Sequence, residues 1–233
     1  MPVLWLDFET RSRCDLKRHG VYNYAQDAST EVLCLSYAFD GGPVRTWTPK
    51  LTFPPDVLNH TGLIYAHNAA FERLIFWYVL QINFKLEQFY CTAAQARANC
   101  APGSLEDVGR FAGASMKKDH RGAQLIRALC VPPFKDDAAL MAELVRYCEQ
   151  DVRAMRAISQ SLRPLSDEEL EDYHVNEKIN DRGVLVDVPL ADAAIAYAAI
   201  ELEDIQSIVR TVTNGEITSV RSPKMREWVK ERL

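Results

Sequence analysis

Three short stretches of this sequence place carboxylates at spacings that suit metal-assisted chemistry. Asp7 and Glu9 flank Phe8 just after the apolar residues 3–6. Side chains alternate along a strand, so both carboxylates leave one face while Phe8 enters the other. Two like charges this close repel, and one stays protonated unless a cation sits between them. A hard divalent ion, Mg²⁺ or Mn²⁺, supplies that cation. The plain alternative is a strand running out into solvent. Asn68 and Glu72, four positions apart in Asn68-Ala69-Ala70-Phe71-Glu72, share one helical face. Here the alternative is an N-cap followed by a first-turn acid that the helix dipole favours. In Tyr147-Cys148-Glu149-Gln150-Asp151 the first and last residues lie about 40° apart around a helix. They sit at the edge of an apolar stripe, where a polar tip reaches a cleft. Amphipathic packing of Tyr147 and a surface ion pair between Asp151 and Arg153 would explain the same residues.

The elements that must position these groups follow from the apolar pattern. Residues 3–6 read as a buried strand ending at Asp7. Residues 31–39, rich in Val, Leu, Cys and Tyr, read as a second strand. The turn Asp40-Gly41-Gly42-Pro43 joins it to a hairpin partner at 44–47. Residues 63–66 form another short strand, with Asn68 capping a helix whose inner face is Phe71, Leu74, Ile75, Tyr78, Val79 and Ile82. Trp77, Phe76 and Tyr78 are expected to fill the core, and His67 to be structural. A further strand is expected at 89–91. Ser104 with Asp107 starts a helix, and residues 137–160 form the clearest one, with the stripe Met141, Leu144, Val145, Cys148, Val152 and Met155. Strands first and helices later predict an α/β fold, a mixed sheet flanked by helices.

A boundary is expected at Arg163-Pro164, dividing 1–163 from an all-helical appendage over 164–233. Ser166 and Glu169 form a capping box for a helix that stops near Arg182-Gly183. Pro189 opens a long helix with Leu190, Ala194, Tyr197, Ile205, Ile208 and Val212 on one side, ended by Asn214-Gly215. Ser222-Pro223 starts another.

Composition narrows the function classes. An apolar share of 48% in 233 residues supports a sizeable core, and 25% charged residues argue against disorder throughout. No apolar run reaches the roughly 18–20 residues needed to cross a bilayer, and the N-terminus lacks the basic start and apolar stretch of a signal peptide. A soluble, cytoplasmic protein is expected. The six scattered cysteines form no closely spaced pair, which argues against a zinc module or a disulfide framework. With net charge −5 and pI near 5.6, general polyanion binding is excluded, so any nucleic-acid contact must be local.

Taken together and in order, the three motifs resemble those of the DEDD exonucleases of the ribonuclease-H-like fold, in the tyrosine-bearing subclass. The nearest likeness is to the 3′→5′ proofreading exonuclease domain of phage-type family A DNA polymerases. The carrying segments are Leu6-Asp7-Phe8-Glu9-Thr10-Arg11-Ser12, Ala66-His67-Asn68-Ala69-Ala70-Phe71-Glu72-Arg73 and Tyr147-Cys148-Glu149-Gln150-Asp151-Val152. The likeness covers roughly the first 160 residues. Many members carry Asp where Glu72 stands, one methylene shorter. The resemblance implies two divalent cations, Mg²⁺ or Mn²⁺. Asp7, Glu9 and Asp151 would hold one, Asp7 would bridge to the other, and Glu72 would support that second ion through water. Tyr147 would orient the attacking water. Products would be nucleoside 5′-monophosphates released from a DNA 3′ end.

By the same resemblance Thr10 contacts the terminal nucleotide, and Asn68 lines the cleft. Arg11 and Arg13, with Lys17, Arg18 and His19, and a second patch of Lys117, Lys118, His120 and Arg121, are available to neutralise phosphates of a short single strand. Solvated loops would carry the same charges. Tyr22 and Tyr24 either stack on bases or pack in the core, with core packing the better expectation.

Asn180-Asp181-Arg182-Gly183-Val184-Leu185-Val186-Asp187 resembles the opening of the polymerase portion of family A enzymes. Thr218-Ser219-Val220-Arg221-Ser222-Pro223-Lys224 resembles the segment after its first long helix. No polymerase active site is expected in these residues. Tyr173, Ile179, Ile205 and Trp228 are expected either to pack back on the first domain or to meet a partner such as a polymerase fragment supplied in trans. A phage-encoded protein would work in the bacterial host cell. Two alternatives stay open: an exoribonuclease of the same superfamily, and a non-catalytic subunit that docks a polymerase and holds DNA uncut.

Overall fold

β1 (Leu4–Arg11) is the spine of a five-stranded sheet with β2 (Glu31–Phe39), β3 (Arg45–Trp47), β4 (Ile64–Ala66) and β5 (Phe89–Cys91). The computed structural model describes residues 1–111 and 120–232. Strand order is β3-β2-β1-β4-β5. β2 runs antiparallel to both β1 and β3, whereas β4 and β5 run parallel to β1. This mixed sheet with flanking helices, followed by helices alone, is the ribonuclease-H-like class with a helical segment after it. β1 continues four residues beyond Asp7, because Phe8 and Thr10 bury themselves and the whole stretch pairs with β2. A bulge between Glu9 and Thr10 shifts the register against β2, a feature that re-aims side chains beside it.

The helices are α1 (Leu16–Gln26), α2 (Pro55–Leu58), α3 (Ala70–Leu74), α4 (Thr92–Ala98), α5 (Leu105–Phe111), α6 (His120–Leu129), α7 (Ala138–Ser161), α8 (Asp167–Arg182), α9 (Val188–Val212) and α10 (Pro223–Lys230). Alternation along β1 sorts its residues to two cores. Leu4, Leu6 and Phe8 join Leu35, Ile64, Leu74, Ile75, Phe76 and Phe89 on one face. Trp5 meets Ala38, Val152 and Met155 on the other. Asp7 and Glu9 follow Trp5 on that second face, toward α7. Asp137 caps α7 by accepting from the amides of Ala139 and Leu140, and its stripe buries Leu144, Cys148, Val152 and Met155. Among the described residues no helix is long and apolar enough to cross a membrane.

Two local expectations fail at α3. Asn68 does not cap it: the cap residue is Ala69, without a side-chain hydrogen bond, and Asn68 stands exposed at φ +62°. That left-handed conformation is one asparagine tolerates well. The expected regular helix also breaks, passing after Leu74 into a π-helical turn over Ile75–Val79. The wider turn shifts the inward face by a residue. Phe76 enters the core, while Trp77 and Tyr78 emerge 46% and 39% exposed, with stacked rings.

The chain divides into two compact units, Met1–Asp181 and Arg182–Leu233. The division lies past the short link between α7 and α8, because α8 packs on the first unit. The expected Ser166–Glu169 capping box is present at the start of α8. Further along, Tyr173 lies against the main core and a His174 ring nitrogen is 2.9 Å from the Phe89 carbonyl oxygen, whereas Ile179 is 50% exposed. In the second unit Gly215 at φ +83° follows α9, its amide donating to Arg210. Thr213 ties the turn by donating to Val209 and accepting from the Ile217 amide. Leu190, Ile195, Tyr197 and Ile208 of α9 are exposed.

Candidate active site

Four carboxylates from three elements share one electric field. Asp7 and Glu9 come from β1 and Asp151 from α7. Glu72 comes from α3, which follows β4. β4 pairs with β1 as Ile64 to Leu4 and Tyr65 to Trp5, so the chain leaving Ala66 emerges beside Asp7. Burial, then the charge of Asp151, pushes the Asp7 carboxyl up to about 8, although a hydrogen bond from Cys148 opposes the shift. Burial raises Glu9 well above the carboxylate range, followed by the charges of Asp7, Cys34, Asp151 and Glu72. Glu72, 3% exposed, is raised by burial and by Asp7.

Tyr147 completes the group. Burial, then the nearby charges of Asp151 and Glu9, holds its phenol far above the ordinary value, and it hydrogen-bonds Asp151. It therefore stays a neutral O–H donor. Two neighbours of this group carry no signal in the sequence. Gly122 of α6 lies under the ring, where an added Cβ would collide with Tyr147 Cε2. The Cys148 thiol donates to both the Asp7 carbonyl and its Oδ2 at 3.3 Å. A buried glycine and a cysteine inside a helix have no local signature of such roles.

Are these residues suited to cations? Among the described residues, no ion pair involves Asp7, Glu9 or Glu72. The Oε2 of Glu72 is buried without any hydrogen-bond partner. An unsatisfied buried carboxylate oxygen is costly, and oxygen donors of this kind match hard divalent ions. Among the described residues no three His, Cys, Asp or Glu side chains are placed so that they could hold a metal ion together. By donor type these oxygens suit hard divalent cations, although their present placement forms no three-ligand group.

That electrostatic state has a measurable consequence. A raised folded-state pKa means the folded protein holds a proton that the unfolded chain has lost, so stability falls as pH rises between the two values. For Asp7 the window runs from 3.8 to about 8. Each such proton tilts stability by about 1.4 kcal/mol per pH unit. In chelator, Tm is expected to fall across this window. Saturating Mg²⁺ or Mn²⁺ should raise it most at the alkaline end. A chelated protein whose Tm is flat with pH would contradict the description of the cluster.

The expected substrate-facing residues are placed less uniformly. Thr10 is 6% exposed and its hydroxyl hydrogen-bonds the Tyr24 hydroxyl at 2.7 Å, turned into the core. Tyr24 is buried, and Tyr22 donates to Asp181. Arg11 pairs with Glu31 at 2.5 Å and Asp136 at 3.4 Å, whereas Arg13 is exposed. Arg121 pairs with Glu143 of α7. Lys117 and Lys118 lie outside the described residues. Asn68 lines a cavity of about 440 Å³ together with Arg97, Asp172, Tyr173 and Glu177. The ring nitrogens of His67 meet the Thr92 hydroxyl and the Gly103 carbonyl, each at 3.0 Å, as a structural histidine would. The six cysteines are free, Cys100 exposed and Cys34, Cys91, Cys130 and Cys148 buried.

No family model matches the chain. It is similar to the DNA polymerase of Bacillus phage SP02, with 34% identity over 219 residues. The match takes in 84% of this chain but 34% of the phage protein, so the chain spans about a third of that relative's length. The protein is thus related to part of a phage DNA polymerase.

Proposed function

We propose that this chain is a divalent-cation-dependent 3′→5′ exonuclease of the proofreading type, acting on single-stranded DNA 3′ ends. One observation carries the reading. Four carboxylates with a neutral tyrosine at their edge share one field without a cationic side chain on Asp7, Glu9 or Glu72, in a relative of a DNA polymerase.

Asp7, Glu9 and Asp151 would hold one Mg²⁺ or Mn²⁺, and Glu72 with Asp7 a second. Bound there, such ions neutralise the carboxylates and the phosphate and lower the pKa of a water. Tyr147 stays protonated, donates to Asp151 and keeps acceptor lone pairs, so it holds a water beside the scissile phosphate. Glu9, 9% exposed, and the bulge after it keep the floor of the site dry, where charge interactions are strongest. Arg13 is available for the next phosphate of the strand. The product is a nucleoside 5′-monophosphate.

The test is an end-labelled DNA oligonucleotide shortened from its 3′ end with Mg²⁺ or Mn²⁺, and an RNA oligonucleotide in parallel. Tyr147→Phe, which keeps the ring on Gly122 but loses the hydroxyl, should cut kcat by roughly 10²-fold with little change in KM. Preferential trimming of RNA would reassign the substrate. DNA that is bound yet never shortened with either metal would leave a docking subunit as the function.

A further inference from the structure

Helix α3, which carries Glu72, has little of its own to hold it in place. It is five residues long, its N-cap Ala69 offers no side-chain hydrogen bond, and a π-helical turn follows it. So short a helix closes few internal hydrogen bonds, and its position must be set from outside. One side is fixed by Leu74 in the core. The other is fixed by Arg73, the residue next to Glu72.

Arg73 is 4% exposed and turns both Nη atoms to α8. Its Nη2 lies 2.7 Å from Asp181 Oδ1 and its Nη1 3.1 Å from Asp181 Oδ2, a two-pronged pair. Nη2 also lies 3.1 Å from Glu177 Oε2. Glu177 and Asp181 are four apart, on one face of α8, and Asp181 accepts the Tyr22 hydroxyl from α1 at 2.8 Å. Three helices therefore meet at one carboxylate. Both Nη atoms of the guanidinium nearest to Glu72 along the chain are engaged there, while its Nε and the Oε2 of Glu72 are each buried without a partner.

We propose that Glu177 and Asp181, acting through Arg73, are positioning residues for Glu72. They anchor α3 so that its carboxylate faces Asp7, and they hold the Arg73 charge where it does not neutralise that carboxylate. The inference rests on the nuclease reading above. It makes α8, which resembles the start of a polymerase segment in sequence, a working part of the cation site.

The experiment is a Mn²⁺ titration of the full chain followed by electron paramagnetic resonance, which counts bound ions without turnover. The wild type is expected to bind two ions. Glu177→Gln/Asp181→Asn should weaken the second by about tenfold or more, the scale of losing a partner behind a metal ligand, and leave the first unchanged. Asp181→Glu, which keeps the charge, should retain most of the affinity. Because the isosteric pair strands a buried guanidinium, Arg73→Met/Glu177→Leu/Asp181→Asn is the second variant. It removes the stranded charge and so separates folding from positioning, and it too should bind the second ion weakly at unchanged Tm. Wild-type affinity for both ions in either folded variant overturns the proposal. A wild type that binds no Mn²⁺ overturns the nuclease reading itself.

Discussion

Asp7→Asn is expected to abolish DNA shortening while leaving the metal-free protein as stable as the wild type, or more so. The two halves have one cause. Asp7 is the carboxylate through which the others couple: its charge raises both Glu9 and Glu72, and Asp151 raises its own pKa to about 8. In chelator at neutral pH it is a buried group held against its chemistry, and an amide of the same shape removes the strain. With cations present the order reverses, because the amide brings no negative charge to share between them. Loss of one preorganised charge-stabilising group costs about 10²–10³ in kcat, and loss of a shared ligand at least as much. Paired measurements of initial rate and Tm, with chelator and with Mg²⁺, distinguish this from simple unfolding. A variant that keeps near-wild-type turnover would remove Asp7 from the chemistry. Functional groups gathered at a cost in stability are a common trade in active sites.

Arg73→Met is the substitution expected to cost the most stability. It leaves Glu177, 5% exposed, buried without its cation, while Asp181, whose side chain is 30% exposed, can turn to water. Breaking a buried pair from one side costs about 3–5 kcal/mol, against a total of about 5–15 kcal/mol for an ordinary domain. Urea unfolding should show the midpoint falling at constant m-value. Arg73→Met/Glu177→Leu should recover most of it, since replacing both partners by apolar groups is close to neutral. If the single variant unfolds at the wild-type midpoint, the pair contributes nothing and α8 is held by its apolar contacts alone.

Much of the scaffold was legible from local pattern. The strand over 31–39, the strand over 89–91, the stripe of α7 and the capping box of α8 all follow from side-chain period and short-range hydrogen bonding, and the structure contains each of them. These signals are local because the interactions behind them span only a few residues. The motif carboxylates were legible by type and spacing, and the fold brings Asp7, Glu9, Glu72 and Asp151 into one field. Local pattern misled where a neighbour along the chain was not a neighbour in space. A regular helical period predicted Tyr78 inside, and Trp77 was expected to fill the core beside it, but the π-helical turn after Leu74 rotated both outward. Thr10, assigned to the terminal nucleotide by resemblance, shares a hydrogen bond with the Tyr24 hydroxyl that no local pattern indicates.

The sequence by itself determined which residues can do chemistry and which face of each element is apolar, because both are properties of residue type and of a repeat a few positions long. Tertiary structure alone decided what those faces meet. Arg73 finds its partners 104 and 108 residues away, Tyr147 rests on a glycine of another helix, and α8 joins the first unit although its sequence resembles the start of something else. Charge and close packing act through space, and nothing in the order of residues along the chain records that distance.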